Sequence, residues 1–449
     1  MKQAKQTLAF LTACFMALQL TACGGGASTA PSTAPAPASV SDPAKPQQQD
    51  LGGSGDIHIA AWNDAADSLN AIAEKFNAID GHTGKVIVDE ADGSYTKLKP
   101  ALAAGVGVPD IFQTQNRDIQ AFYNNYGVEQ FLDMTPVIQA EEKNFVEFAL
   151  ANCVTDDGKY YSVPWDIAPA AMIYRSDVFA QAGIDPLTLT TWDKYIEAGK
   201  ELKKLDPNYA VEAYCYNGST GFDQVLIYMN ELGGQYYDAE GRVDLTSPEM
   251  LKATELMKKM ADEGVAMDIP DAWGDRIAAI NDGKLVSMIY PVWFLGTMKS
   301  ACADLSGKWA LAPMPAFEEG DNNMANAGGS ILAVYSGTQN PQLCVDFIRY
   351  ALMSDEGNDI NMAHGLFPSY IPSYATQAFS AADEYVGGQS IGGFFKELTG
   401  APTTHFGPYF SYVARAMMAG TGNILANGMD PQQAWAAAAE EAQRNINLK

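Results

Sequence analysis

Ile57-His58-Ile59-Ala60, then Leu69, Ile72, Ala73, Phe76 and Ile79, then Val86-Ile87-Val88: the reading of this stretch decides the fold class. The first and last groups are apolar runs of strand length. The middle group recurs at the spacing of one helical face. Short apolar strands alternating with amphipathic helices indicate an α/β architecture. The alternation continues with a helical stretch from about Tyr95 to Ala104, interrupted by Pro100, then a turn from Gly105 to Pro109. Asp110-Ile111-Phe112 opens a third strand. Later helices carry clear start signals. Thr190 or Thr191 precedes Trp192, Tyr195, Ile196 and Leu202; Ser247-Pro248 precedes Met250, Ala253, Met257 and Met260. Asn340-Pro341 and Asp430-Pro431 begin two more, the last carrying Trp435, Ala438, Ala442 and Ile446.

At the N-terminus, Lys2 and Lys5 precede an apolar stretch from Leu8 to Leu20. That is the layout of a secretory signal peptide, and it is too short to span a bilayer comfortably. Leu20-Thr21-Ala22-Cys23 resembles a lipobox, in which Cys23 becomes the lipidated, palmitate-bearing first residue of the mature protein. Residues 1–22 are therefore read as a lipoprotein signal peptide. Residues 23–55 are rich in Gly, Ala, Ser, Pro and Gln, with almost no large apolar residue. Such a segment cannot offset its ordering entropy and reads as a flexible tether. The folded part is expected from about Asp56.

What remains is long enough for two or more domains with proper cores. The formal net charge is −26, and loss of Lys2 and Lys5 makes the mature chain more acidic still. So acidic a surface argues against nucleic acid and anionic lipid as partners. Cys153, Cys215, Cys302 and Cys344 are widely spaced with no CxxC, which disfavours zinc; an exported chain could pair them in any of three full pairings, among which the sequence does not choose, and most of them read as buried single thiols. No metal and no cofactor is expected.

Catalytic signatures are missing. There is no GxxxxGK[ST], and Gly105-Val106-Gly107 lacks the third glycine of a dinucleotide fingerprint. Gly218-Ser219-Thr220-Gly221 is not GxSxG, and Ser94-Tyr95-Thr96-Lys97 matches SxxK without the SDN or KTG that accompany it in penicillin-binding enzymes. His58, His82, His364 and His405 are far apart, so acid or base work would fall to carboxylates.

Six segments, in order, resemble extracellular solute-binding protein family 1, the sugar-binding lipoproteins of ABC importers of the maltose/maltodextrin-binding type. They are Ile59 to Asn63; Gly107 to Phe112; Val163-Pro164-Trp165-Asp166 with Met172 to Phe179, Ala182-Gly183-Ile184 and Thr191-Trp192-Asp193; Ile280 to Lys284 with Pro291-Val292-Trp293; Pro313-Met314-Pro315 with Gly328-Gly329-Ser330; and the alanine-rich terminal helix. The resemblance implies a two-lobed, type II periplasmic-binding-protein-like α/β fold with ligand in a cleft between lobes joined by crossing strands. It places crossings near Pro164–Pro169, Pro313–Pro315 and His364–Pro368. Residues 56–165 with 316–365 would form the N-lobe, and residues 170–312 with 368–449 the C-lobe. It implies a monomeric receptor, extracytoplasmic and lipid-anchored to the cell membrane. By hinge closure the receptor captures a sugar or oligosaccharide without chemistry and delivers it to ABC permease transmembrane subunits and their ATPase.

A sugar offers apolar C–H faces and a rim of hydroxyls, which aromatic rings and planar polar groups suit. Trp192, Trp309 and Trp435 read as core, whereas Trp62, Trp165, Trp273 and Trp293 sit at strand ends or turns beside polar or small residues. Asn63, Asp64, Gln113 and Asp166 are the polar candidates; Gly329 and Ser330 would bring backbone N–H groups to ligand. Tyr409 opens a late helical segment that faces the cleft in the family. Two alternatives stay open. A membrane-anchored glycoside hydrolase could pair Asp64 with Asp166, or Asp166 with Asp275. The same fold could instead bind a polyamine or another small solute.

Overall fold

The computed structural model describes residues 51–217 and 222–448. The signal peptide, Cys23, most of the tether and the Gly218–Gly221 motif lie outside the described residues. Strands are labelled in chain order: β1 Ile57–Ala61, β2 Val86–Glu90, β3 Ile111–Gln115, β4 Ser162–Pro164, β5 Asp166–Ile167, β6 Ala170–Arg175, β7 Glu212–Tyr214, β8 Ala266–Asp268, β9 Ser287–Pro291, β10 Trp309–Ala312, β11 Ser330–Val334 and β12 Phe367–Pro368.

Two sheets organise the chain. The first runs β2-β1-β3-β11-β4, with β1 parallel to β2 and β3, and β11 antiparallel to β3 and β4. The second runs β10-β6-β9, antiparallel throughout. Each sheet has its own apolar core. The helix Asn63–Asn77 buries Leu69, Ile72, Ala73 and Phe76 against the first sheet, while Ile79 falls beyond its end and is exposed. Leu69, Ile72 and Phe76 each contribute about 1.5–3 kcal/mol by this burial. Between the sheets, β5 and β12 pair antiparallel through Phe367 with Ile167 and Pro368 with Asp166.

The start signals act as capping chemistry requires. The side chains of Thr191, Ser247, Asn340 and Asp430 accept from the backbone N–H three residues on, satisfying one orphan donor each. Pro100 is tolerated because the helix is Leu98–Ala104, with Pro100 in its first turn. There its missing N–H has no intrahelical partner to lose.

Two expected boundaries move. Residues 51–55, assigned to the tether, are held on the folded body: Ser54 N–H donates to the Gln339 carbonyl, Gly55 N–H to that of Thr83, and Leu51 N–H to the Gln342 side chain. The crossing expected at Pro313–Pro315 lies instead near residues 325–330. Residues 316–324 stay with the second lobe: Trp192 N–H donates to the Ala316 carbonyl, Lys194 pairs with Glu319, and Asn322 donates to the Glu231 carbonyl. The chain then crosses where Ala170 N–H meets the Ala325 carbonyl and Ala327 N–H meets that of Ala168. The prolines at 313 and 315 shape a turn within one lobe.

All four described cysteines are free and buried. Among the described residues no helix is long and apolar enough to cross a membrane.

Candidate functional site

A cavity of about 340 Å3 opens where the two lobes and the crossing segments meet. The first lobe supplies Trp62, Asn63 and Asp64 from the β1 exit, and Gln113, Gln115 and Arg117 from the β3 exit. The crossings supply Asp166 and residues 327–330; the second lobe supplies Asp223, Trp273, Trp293 and Thr297. Ligand sites gather at the carboxyl ends of strands in open α/β sheets and at interfaces between domains, and this cavity meets both conditions. A further cavity of about 450 Å3 continues outward and shares Asn63, Asp64, Trp273 and Thr297 with it.

The floor is a hydrogen-bonded tie. Gln113 Oε1 accepts from Trp62 N–H at 3.1 Å, and Gln113 Nε2 donates to Ser330 Oγ at 2.9 Å. Ser330 N–H in turn donates to Asp166 Oδ1 at 2.6 Å. Gly329 has φ +102°, and a Cβ there would lie 2.6 Å from the Asp166 carbonyl oxygen, so only glycine fits. Burial pushes the Asp166 carboxyl up to about 7, against the pull of the Ser330 hydrogen bonds.

The walls are aromatic. Trp273 and Trp293 stack with ring centroids 6.0 Å apart and planes at 12°. Trp293 Nε1 donates to the Ala327 carbonyl, fixing the inner ring, while the outer ring of Trp273 stays 45% exposed. On the other side, Trp62 meets the Tyr95 ring edge-on at 5.5 Å. Tyr95 OH donates to Asp118 Oδ2 and accepts from Gln115 N–H, so the ring supporting Trp62 is itself pinned. The charges are mixed. Asp64 is raised above the usual carboxylate range, first by burial and then by Asp67, with His364 pulling it back. Arg117 lies over the Phe222 ring at 5.0 Å. Asp223 Oδ2 accepts from Tyr290 OH, and the Arg276 guanidinium sits 4.4 Å from the centre of that tyrosine ring.

Residues 62–357 match the family model of the bacterial extracellular solute-binding protein. The chain belongs to that family. This solute-binding protein is 29% identical over 269 residues to an arabinooligosaccharide-binding protein of Bacillus subtilis, covering 59% of this chain and 60% of that one. It therefore spans under two thirds of that relative's length. It is 28% identical over 383 residues to a lactose-binding protein of Rhizobium radiobacter, covering 81% of this chain and 87% of that relative. Its fold matches an ABC-transporter-associated binding protein of B. animalis subsp. lactis, solved with β-1,6-galactobiose, at TM-score 0.70 and 24% identity over 87% of this chain and 96% of that one. The fold is thus the two-lobed type II architecture. The family is one of solute-binding proteins, extracellular by description.

The structure brings together Trp62, Asn63, Asp64, Gln113, Asp166, Trp273, Trp293, Gly329 and Ser330 around the cavity. It sets two candidates apart. Trp165 is 1% exposed within the first-lobe core, and its Nε1 donates to Asn361 Oδ1. A ring facing a core and tied to a buried amide cannot meet ligand. Tyr409 stands outside the cavity, ahead of the helix Phe410–Leu425. Gln113 and Asp166 line the cavity but use their hydrogen bonds to join β1, β3, β5 and β11. Gln115, Arg117, Asp223, Thr297 and His364 also line the cavity, and sequence reasoning passes over them. The strand-end rule that selects Gln113 reaches Gln115 and Arg117 two and four residues on. Asp223 and His364 carry no local signal. Trp165→Phe is expected to lower stability by about 1–2 kcal/mol, from the lost buried hydrogen bond to Asn361 Oδ1, which keeps the Ser68 hydroxyl as donor, and from lost ring volume, and to leave ligand affinity unchanged. Denaturant unfolding beside calorimetric titration checks both.

Proposed function

We propose that this protein is a carbohydrate receptor of an ABC importer, binding a neutral sugar or oligosaccharide between its lobes. The observation that carries the reading is the aromatic lining that both lobes give one cavity, Trp62 from the first and Trp273 stacked on Trp293 from the second. Indole faces suit the C–H faces of a pyranose, and Asp64, Gln115, Arg117 and Asp223 surround them with acceptors and donors for hydroxyls. Ligand touching both lobes favours the closed form by its differential affinity for that form. Among the described residues, the lobes are 51–165 with 331–365, and 170–217 and 222–324 with 368–448. Closure presents a surface to the permease. Cys23 anchors the mature chain by lipid, and residues 24–50 tether it near its transporter, raising effective concentration. It acts as a monomer.

The hydrolase alternative loses its acids. Asp166 is almost fully buried and holds Ser330; Asp275 lies outside the cavity, with Oδ2 accepting from Asp271 N–H. Thermal unfolding against mono- and oligosaccharides, polyamines and anions tests the reading. A ligand at a hundred times its dissociation constant adds about 2.7 kcal/mol. Stabilisation by one class of neutral sugar is the expected result; stabilisation by amines or anions alone overturns it.

A further inference from the structure

Beside the cleft lies another cavity, of about 400 Å3, lined in part by the same Trp62 and Gln113. It exists because one face of the first sheet is left partly uncovered over β1 and β2. β1 lies between β2 and β3, parallel to both, and such inner parallel strands are ordinarily covered on both faces by apolar residues. Here one face carries Ile57, Ile59 and Ala61, all fully buried; the other carries exposed His58 and half-buried Ala60. Asp89 on β2 is exposed as well, and His58 Nδ1 meets its Oδ2 at 2.7 Å. The small side chain of Ala60 makes a floor, with Val108 and Pro109 as an apolar wall. The pinned Tyr95 ring forms the back of Trp62. Lys97, His58 and Asp89 supply donors and acceptors at the rim.

Apolar faces framed by mixed donors and acceptors match the needs of a sugar ring no less here than in the main cleft. Trp62 and Gln113 belong to the linings of both cavities, so the indole stands at the boundary between the two spaces. We propose that this side pocket is an additional sugar subsite, so that the ligand is an oligosaccharide of three or more units with one unit lodged beyond Trp62. The inference rests on the carbohydrate reading above and narrows it to chain length.

Calorimetric titration of the mature protein with a di-, tri- and tetrasaccharide of one linkage, taken from the sugar class that stabilises it, tests this. The trisaccharide is expected to bind at least tenfold tighter than the disaccharide. Val108→Trp fills the side pocket and is expected to erase that difference while leaving disaccharide affinity within twofold. Ala91→Phe, which fills the same pocket from the β2 exit, decides the matter if Val108→Trp does not fold. Equal affinity for all three lengths overturns the subsite and leaves the carbohydrate reading standing. So does an unchanged length preference in the filled variant. If no saccharide of any length binds, both fall together.

Discussion

Trp273→Ala lowers affinity for the captured sugar by at least about thirtyfold, the equivalent of roughly 2 kcal/mol expected of an aromatic hot spot. The reason is geometric. Trp273 begins the helix Gly274–Asn281 at the cleft mouth, and its ring lies parallel to Trp293. Trp293 is held from behind by Tyr290 and Phe294, edge-on at 5.5 and 5.9 Å. The outer ring is thus presented as a rigid flat surface, with no ordering left to be done when ligand arrives. Its removal also gives up the contacts with Trp293 and with Phe294, edge-on at 5.8 Å, and lowers folding stability by about 1 kcal/mol. Trp62→Ala likewise weakens binding with a measurable loss of stability, since Trp62 packs on Tyr95. The two losses are not additive, because one ligand bridges both rings. Calorimetric titration and thermal unfolding of both variants check this; an unchanged affinity in Trp273→Ala contradicts the assignment of the outer wall.

Stability falls as pH rises from about 5 to 10, and Glu231→Gln flattens the fall. Glu231 is 3% exposed, with both carboxyl oxygens accepting from Trp192 Nε1 at 3.2 and 3.1 Å. Burial pushes it up to about 9, and pushes Glu212 up to about 8. Both folded values lie above the unfolded value near 4.5. Below that value the acids are protonated in folded and unfolded chains alike. Between it and the folded value, the folded chain holds protons that the unfolded chain has released. The slope of stability against pH is therefore negative across this window. Each tenfold gain in proton affinity on folding is worth on the order of 1.4 kcal/mol before solvent relaxation. Two such acids, with Asp166 adding to the lower part of the window, amount to roughly a few kcal/mol between about pH 5 and 10. Glutamine keeps an acceptor for Trp192 and cannot ionise. The variant is thus more stable than the parent at about pH 9 and nearly equal to it at about pH 5. Chemical denaturation at both values reads this directly. A parent profile that is flat or rises contradicts it.

The legible parts of this molecule are those set by local chemistry. Strand and helix periodicity places β1, the first helix and β2, and side-chain caps place the later helices. The aromatic at the end of β1 and the tryptophans in turns stand out by the same means, because a large apolar side chain beside polar neighbours is locally anomalous. Trp165 shows where this fails. Its neighbours Pro164 and Asp166 look like a cleft edge, but the face its ring takes is decided by Asn361, almost two hundred residues away. Asp166 and Gln113 read as hydroxyl binders because their chemistry allows it; the structure uses that chemistry to knit four strands. The crossing near residue 325 escapes the sequence for a related reason. Prolines at 313 and 315 mark a turn, and nothing local says that the chain stays with the second lobe for about ten residues more. Asp223 and His364 reach the cavity only through tertiary packing.

The central claim is capture without chemistry, and one measurement meets it most directly. Calorimetric titration of residues 24–449 with the stabilising oligosaccharide, followed by mass analysis of the recovered ligand, should give one site per chain and the sugar returned intact. Cleaved sugar, or binding confined to amines or anions, would contradict the account.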